Sequence, residues 1–404
     1  MDLQLLEKIK QKVVIQLNFS EDTSDDQLKQ IIEEEVFKHS EQFYLTSSQK
    51  YEYVMRVFHS FRGLDILQPI VDDPSITEIM INNFDEIFIE KGGKVTLYDE
   101  RFESQEKLED VIQAVVAQVD RAVNESSPIV DARLKDGSRV NVVLPPVALK
   151  GPTMTIRKFP DEPLSIERLI SIETISQEAA EFLKKLVVSK YNIFIGGGTG
   201  SGKTTFLNVL SDFIPNDERI ITIEDSAELQ IRNIPNLVSL ETRTANTEGK
   251  GEISIRELIR SSLRMRPNRI IVGEVRGVEA LDMLQAMNTG HDGSLSTGHA
   301  NSTKDMLSRL ETMVLNGTNL PVEVVRKQIS SALDIMIHLS RMRDGSRKIL
   351  EICEVTGVRG GDIQLNQLYH FIEHGEKEDG RIKGELHPTG SSLKNRQKFK
   401  MAGY

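Results

Sequence analysis

The sequence predicts an α/β fold built on a parallel β-sheet, preceded by an α+β domain and a short helical appendage. From residue 163 onward, apolar strand patterns alternate with helical patterns, as in a sheet covered by helices on both faces. Residues 63–160 instead contain hairpin patterns around one helix, and residues 1–62 are polar and helix-prone. A glycine-rich loop stands between a strand and a helix in the alternating part.

Composition bounds the class of protein. The chain has 404 residues, 39% of them hydrophobic and 27% charged, which is enough for two or three domains with large cores. The net charge of −11 argues against nonspecific binding to nucleic acid. Cys353 is the single cysteine, so no disulfide can form within the chain and a reducing compartment is favoured. No apolar run approaches a membrane span, and the first residues lack the basic start and apolar centre of a signal peptide, so we expect a cytoplasmic protein.

The elements of the first 160 residues follow from periodicity and turn residues. Residues 27–37 and 51–58 carry apolar side chains at helical spacing. The next part predicts a strand at 76–82, a hairpin at 86–98, a helix at 108–115, a hairpin at 130–144 and a strand at 154–159. Two prolines stiffen the segment 160–163, which we therefore interpret as a linker.

The second half predicts the parallel sheet. Strands are expected at 193–195, 220–223, 270–272 and 294–297, with helices between them, followed by a helix from residue 321 and a hairpin at 335–355. We expect domain boundaries at 1–62, 63–160 and 161–370. Residues 371–404 are polar and rich in glycine and lysine, and we expect a loosely ordered C-terminal tail there.

The glycine-rich loop carries the strongest chemical signal. It matches the phosphate-binding pattern G-x-x-x-x-G-K-[ST], with an apolar strand before it and an amphipathic helix after it. Glycines let the backbone N–H groups point at phosphate oxygens, and the helix N-terminus adds partial positive charge. We expect Lys203 to reach the β- and γ-phosphates and the Thr204 hydroxyl to bind Mg²⁺. The predicted nucleotide-binding residues are Gly197, Gly198, Thr199, Gly200, Ser201, Gly202, Lys203, Thr204 and Thr205.

Two further predicted strands end in carboxylates. Glu274 follows the buried strand 270–272, and in such sheets ligands lie outside the carboxyl ends of the strands. We expect Glu274 to orient or activate water beside the γ-phosphate and to take part in the metal site. Glu224 and Asp225 end the strand 220–223, with Glu228 four residues after Glu224, and these acids could coordinate Mg²⁺ through water. Solvated acids in turns are the alternative.

His291 and His299 occupy loops on either side of one short predicted strand. A histidine there can hydrogen-bond a γ-phosphate and report its loss to neighbouring elements, and we favour His299 for this role. A zinc site is the alternative, although no cysteine pair or His-Glu helix motif accompanies the histidines.

Several arginines compete for contact with phosphates. Arg256, Arg260 and Arg264 recur on one helical face, which is either a solvated basic face or a subunit interface. Arg133, Arg139, Arg157 and Lys158 belong to the earlier domain. An arginine supplied by an adjacent subunit would neutralise charge on the γ-phosphate, and the sequence does not choose among them.

Taken together, these segments resemble the ATPases of type II/type IV secretion and pilus assembly, and most of all the branch that assembles tight-adherence (Tad/Flp-type) pili. The resemblance extends from about residue 73 to about residue 358. Ser226 and Asn268 depart from the family pattern, which usually has Pro and Asp there. The segments that carry the resemblance are 77–82, 131–133, 136–141, 155–159, the phosphate loop, an aspartate box at 223–228, a Walker B segment at 271–276 and a histidine box at 296–300.

The resemblance implies a homo-hexameric ATPase with a RecA-like core and a PAS-like N-terminal domain that bind ATP and Mg²⁺ between them. We expect Lys203, Glu224, Glu274 and His299 as catalytic residues, with Arg139 and Arg157 as the arginine candidates for action on a neighbour's nucleotide. It also implies work at the cytoplasmic membrane through polytopic platform proteins, with a soluble ring. From the acidic composition we expect no direct contact with nucleic acid.

A nucleic-acid motor on the same core is the alternative function. It would need a strongly basic channel and salt-sensitive affinity for single strands. The acidic total and the low aromatic content of 5%, without tryptophan, disfavour it. A small-molecule kinase fits the large preceding domain poorly, and an ABC-type ATPase would need a Leu-Ser-Gly-Gly-Gln segment that the sequence lacks.

Overall fold

The computed structural model describes residues 2–17, 23–118, 122–134, 136–159, 163–243, 245 and 250–404. They belong to two compact units, Met1–Asp161 and Glu162–Tyr404. Residues 160–162 of the expected linker lie outside the described residues. The finer division into four domains stays a prediction. None of the helices within the described ranges is long and apolar enough to cross a bilayer.

The first unit begins with three helices, α1 (Leu3–Gln16), α2 (Asp25–Phe43) and α3 (Ser47–Arg62). Ser24 and Thr46 each start a helix through a capping box, in which the cap side chain and a glutamine three residues later bond each other's backbone N–H groups. The helices share one apolar core, which includes Leu6, Ile32 and Val57.

The rest of the first unit is a sheet with helices. Its elements are α4 (Gln68–Asp72), β1 (Ile76–Asn83), β2 (Glu86–Lys91), β3 (Lys94–Leu97), α5 (Gln105–Ala117), β4 (Ile129–Arg133), β5 (Arg139–Val143) and β6 (Thr153–Arg157). The strands are antiparallel in the order β3-β2-β1-β6-β5-β4. Leu108, Ile112 and Val115 of α5 pack in one core with apolar side chains of the sheet.

The second unit carries the predicted alternation. Its elements are α6 (Ile166–Ser171), α7 (Gln177–Val188), β7 (Ile193–Gly197), α8 (Lys203–Ser211), β8 (Ile220–Glu224), β9 (Leu237–Glu241), α9 (Ile255–Ser262), β10 (Arg269–Val272), α10 (Glu279–Asn288), β11 (Leu295–His299), α11 (Thr303–Asn316), α12 (Val322–Ala332), β12 (Ile335–Arg341), β13 (Arg347–Arg359), β14 (Asp362–Glu376), β15 (Ile382–Pro388) and α13 (Gln397–Met401).

These strands form one sheet in the order β15-β14-β13-β12-β7-β11-β10-β8-β9. The six strands from β12 to β9 are parallel, which confirms the predicted fold class, and β13 to β15 extend the sheet antiparallel. Alternate residues of β7 enter different cores, with Ile193 and Ile195 on one side and Phe194 on the other. Burial on both faces explains why the strand reads as a continuous apolar run.

The expectation of a loosely ordered tail at 371–404 is wrong. β14 continues to Glu376, β15 pairs with it, and α13 follows. The buried carboxylate of Glu354 accepts hydrogen bonds from the N–H groups of Lys394 and Asn395, and Lys398 Nζ lies 2.7 Å from carboxylate oxygens of Asp292 and Asp334. The polar composition was misleading because a strand at a sheet edge needs apolar residues on one face only.

Candidate functional site: the phosphate loop and its neighbours

The phosphate loop connects β7 to α8 at the carboxyl ends of the parallel strands. Gly200 and Gly202 have φ values of +70° and +92°, in the left-handed region that favours glycine. Ser201 Oγ donates to the carbonyl oxygen of Gly198 at 2.9 Å and closes the loop. A Cβ on Gly197 would lie 2.6 Å from the carbonyl oxygen of Leu339, so the loop starts where two strands approach each other closely. The predicted strand–loop–helix context is therefore present.

Lys203 lies at the start of α8 with its side chain turned back over the loop. Its Nζ donates to the carbonyl oxygen of Gly198 at 3.0 Å and lies 3.3 Å from Nδ1 of His299. Only 7% of the residue is exposed. The ammonium group is thus held beside the loop, at the height where strand β11 ends.

Glu274 follows β10, the strand next to β11. Its Oε1 lies 2.7 Å from Nε2 of His299, and its Oε2 accepts a hydrogen bond from Nη2 of Arg276 at 2.6 Å. Arg276 Nη1 also lies 3.4 Å from Oδ2 of Asp225, which follows β8. Residues at the ends of three neighbouring strands, β8, β10 and β11, therefore meet beside the phosphate loop. Lys203 lies next to His299, and His299 lies next to Glu274.

The electrostatics of His299 follow from its neighbours. Burial, with the nearby Lys203 ammonium, lowers the pKa of His299, and the Glu274 carboxylate opposes this only in part. The imidazole is therefore neutral at pH 7. A neutral ring has one acceptor nitrogen, which can bond the Lys203 ammonium, and one donor nitrogen, which lies next to the Glu274 carboxylate.

Glu224 supports the turn after β8. Its carboxylate accepts hydrogen bonds from the N–H groups of Glu228 and Leu229 at 2.9 and 3.1 Å, and the residue is buried. Gly273 makes room for it, because a Cβ at that position would lie 2.8 Å from Cγ of Glu224. Ligation of a metal by Glu224 or Asp225 stays a prediction, as does ligation by Thr204 and Glu274.

The two histidines lie at opposite ends of β11. His299 ends the strand beside the loop, whereas His291 precedes it, with Nδ1 3.2 Å from the carbonyl oxygen of Ala286. A five-residue strand spans roughly 16 Å, so His291 cannot reach a phosphate held by the loop. The geometry therefore supports the choice of His299 over His291, because loops that flank one strand emerge at its two ends.

The arginine candidates separate into two groups. Arg256 and Arg260 both donate to the buried carboxylate of Asp282 on α10, each at 2.7 Å, so part of the predicted basic face is bound within the chain. In the first unit, Arg139 is paired with Arg133 on one side and with Arg157 on the other. Directly paired residues share a face of the sheet, so three arginines form a row across β4, β5 and β6.

Sequence reasoning missed the arginines of the β12–β13 hairpin. Arg347 Nε donates to the carbonyl oxygen of Gly200 at 3.3 Å, and Nη1 of Arg341 would lie 3.9 Å from a Cβ added at Gly200. They lie more than 130 residues beyond the loop, and only the pairing of β12 with β7 brings them there. The turn at Asp344-Gly345 between two arginines was the available signal.

Comparison with known proteins gives matches over most of the chain. A family model described as type II/IV secretion system protein matches residues 61–376. A putative conjugal transfer protein of Mycobacterium tuberculosis is 33% identical over 330 residues, or 80% of this chain and 93% of its own. The type IV secretion system protein VirB11 of Brucella suis is 33% identical over 319 residues, or 72% of this chain and 88% of its own.

A solved structure agrees at the level of the fold. The pilus retraction motor PilT with bound ADP is 19% identical and has a TM-score of 0.52, over 83% of this chain and 87% of its own. At this identity the likeness concerns the fold alone, and it agrees with the predicted RecA-like core.

Proposed function

We propose that this chain, which belongs to the type II/IV secretion system protein family and is an ATP-hydrolysing P-loop enzyme, uses ATP to drive pilus assembly or protein secretion. The observation that carries the proposal is the arrangement of three side chains beside the phosphate loop. His299 Nδ1 lies 3.3 Å from Lys203 Nζ, and His299 Nε2 lies 2.7 Å from Glu274 Oε1. A triphosphate held by the loop would extend its γ-phosphate toward these three groups.

The loop and Lys203 would bind the nucleotide. Backbone N–H groups of residues 197–205 would cradle the phosphates, and Lys203 would neutralise the β- and γ-phosphates. Hydroxyl and carboxylate oxygens are the ligands that Mg²⁺ prefers, so Thr204, Asp225 and Glu274 suit this ion together with phosphate oxygens. Glu224, whose carboxylate bonds two backbone N–H groups, would act through water. The ion would supply charge neutralisation at the phosphates.

Glu274 would orient the attacking water and accept its proton. Phosphoryl transfer depends mainly on positioning and charge neutralisation, so one placed carboxylate is sufficient. His299 contacts both Lys203 and Glu274, so loss of the γ-phosphate would change the contacts of all three groups. This gives the chain a means of converting cleavage into movement.

The arginine row of the first unit would complete the site in an oligomer. Arg139 or Arg157, with Arg133 beside them, would reach the phosphates of a nucleotide held by a neighbouring subunit. The finer proposal is a homo-hexamer of the tight-adherence pilus branch. It would work in the cytoplasm, bound to the membrane through polytopic platform proteins, and without direct contact with nucleic acid.

The first experiment measures magnesium-dependent phosphate release and binding of adenine nucleotides by the purified full chain. Lys203→Ala should abolish binding or hydrolysis, and Glu274→Gln should bind ATP without cleaving it. Glu323→Gln, which changes an exposed carboxylate at the start of α12, is the control. A chain that neither binds adenine nucleotides nor releases phosphate, even with its membrane partners present, would refute the proposal.

The second experiment addresses assembly and partners. Native mass spectrometry with ATP should give six subunits. Mixing Lys203→Ala with Arg157→Ala subunits should restore hydrolysis if the arginine acts on a neighbour's nucleotide. Crosslinking in cells should recover polytopic membrane proteins, whereas recovery of DNA would favour the nucleic-acid motor.

A further inference from the structure

The hairpin formed by β12 and β13 brings two arginines to the phosphate loop. Arg347 Nε donates to the carbonyl oxygen of Gly200 at 3.3 Å. A Cβ on Gly200 would lie 3.9 Å from Nη1 of Arg341, and a Cβ on Gly202 would lie 3.8 Å from Cγ of Arg347. Arg347 therefore contacts the loop backbone directly, and the end of the Arg341 side chain lies near Gly200.

The hairpin geometry fixes their position. Arg341 and Arg347 are paired across the two strands, so their side chains share one face. β12 is paired with β7 up to Leu339 and Gly197, which carries the end of the hairpin alongside the loop. At the turn, Asp344 accepts a hydrogen bond from the N–H of Ser346 at 2.9 Å. The paired strands thus hold the positive charges of Arg341 and Arg347 on the β12 side of the loop.

The two strands that flank β7 would face different ends of a nucleotide held by the loop. β11 brings His299, with Glu274 and Lys203, to one side of the loop. In a loop of this pattern the lysine reaches the β- and γ-phosphates, while the backbone N–H groups cradle the α- and β-phosphates. The γ-phosphate end would therefore point toward β11, and the α-phosphate and the nucleoside would lie toward β12 and its arginines.

We propose that Arg341 and Arg347 bind the α-phosphate end of the nucleotide. A guanidinium group has five N–H donors, so Arg347 can hold the Gly200 carbonyl group and still donate to a phosphate oxygen. The hairpin then sets the affinity for ATP and ADP alike and takes no part in cleavage. This inference rests on the nucleotide site proposed above.

The test uses Arg341→Ala and Arg347→Ala in the full chain. Each should raise the KM for ATP and the inhibition constant of ADP by the same factor, roughly tenfold for one lost charge-assisted hydrogen bond, with kcat changed less than about twofold. Arg347→Lys should recover part of the affinity, because it keeps the charge and loses the fork of donors. Thermal unfolding checks that each variant is folded.

Arg343→Ala is the matched control. It lies on the same hairpin, but its guanidinium group bonds the carboxylates of Glu373 and Glu376, so neither constant should change. Unchanged constants in both test variants would overturn the inference. Weaker binding of ATP with unchanged binding of ADP would also overturn it, because the arginines would then contact the γ-phosphate. A fall in kcat alone would overturn it as well, because the arginines would then only support the loop. Failure of the wild-type chain to bind any adenine nucleotide would instead refute the proposed function.

Discussion

Replacing Gly273 with alanine tests whether Glu224 supports the strand end that carries Glu274. The added Cβ would lie 2.8 Å from Cγ of Glu224. Nonbonded carbon atoms prefer about 3.5–4.0 Å, so the two groups must separate by roughly 1 Å. Glu224 is 3% exposed and its carboxylate is held by the N–H groups of Glu228 and Leu229. Either those hydrogen bonds break or Glu274 moves.

The expected magnitudes follow from these two routes. A hydrogen bond to a charged group contributes about 1.5–3 kcal/mol, and overpacking adds about 1 kcal/mol, so the free energy of unfolding should fall by about 2.5–4 kcal/mol. A displacement of about 1 Å at a catalytic group can lower the rate by about 10²-fold. We therefore expect Gly273→Ala to reduce both stability and kcat.

Urea unfolding and steady-state phosphate release measure the two effects. Gly196→Ala is the matched control, because a Cβ there would lie no closer than 3.6 Å to its neighbours and the residue is not one of the predicted nucleotide-binding positions. In a Glu224→Ala background the clashing Cγ is absent, so Gly273→Ala should lose most of its effect, with a coupling of about 1 kcal/mol or more. Wild-type behaviour of Gly273→Ala, or strictly additive losses in the double variant, would refute the reasoning.

Three further predictions concern His299, Asp282 and Gly197. Burial and Lys203 lower the pKa of His299 below its value in the unfolded chain, so the unfolded chain takes up the proton first as pH falls. The free energy of unfolding should therefore be highest above about pH 6.5 and should decrease as pH falls toward the folded pKa. Unfolding midpoints between pH 5 and 8 measure this dependence, and His299→Gln should flatten it. Asp282→Asn should lower the unfolding free energy by about 1–2 kcal/mol, because it weakens two arginine contacts that are partly exposed; an unchanged urea midpoint would contradict this. Gly197→Ala should abolish nucleotide binding, because its Cβ would lie 2.6 Å from the Leu339 carbonyl oxygen. Titration with a fluorescent ADP analogue checks this, and Gly196→Ala, whose Cβ would lie no closer than 3.6 Å to a neighbour, should bind normally.

The phosphate loop, Glu274 and His299 could be found from sequence because each follows directly after a buried parallel strand. Parallel strands bring their carboxyl ends to one edge, so order along the chain is enough to bring these residues together. The direction of β11 also explains why His299 is favoured over His291, since His291 precedes the strand and lies at its other end.

Contacts made by long polar side chains were not predictable in this way. Arg276 bridges Glu274 and Asp225, and Asp282 binds two arginines, because side-chain reach and burial select one partner among many charged residues. The order of the strands in the sheet could not be predicted from the sequence either. Without knowing that β12 lies beside β7, nothing in the sequence connects Arg347 with Gly200.

The contacts of Lys398, which hold α13 against the second unit's sheet, have a mechanical consequence. Lys398 Nζ binds the carbonyl oxygen of Lys190 and carboxylates of Asp292 and Asp334, which stand just before β7, β11 and β12. These are the three strands whose opposite ends surround the nucleotide loop. A force applied at Lys398 would therefore be transmitted to the starts of the three strands that meet at the phosphate loop.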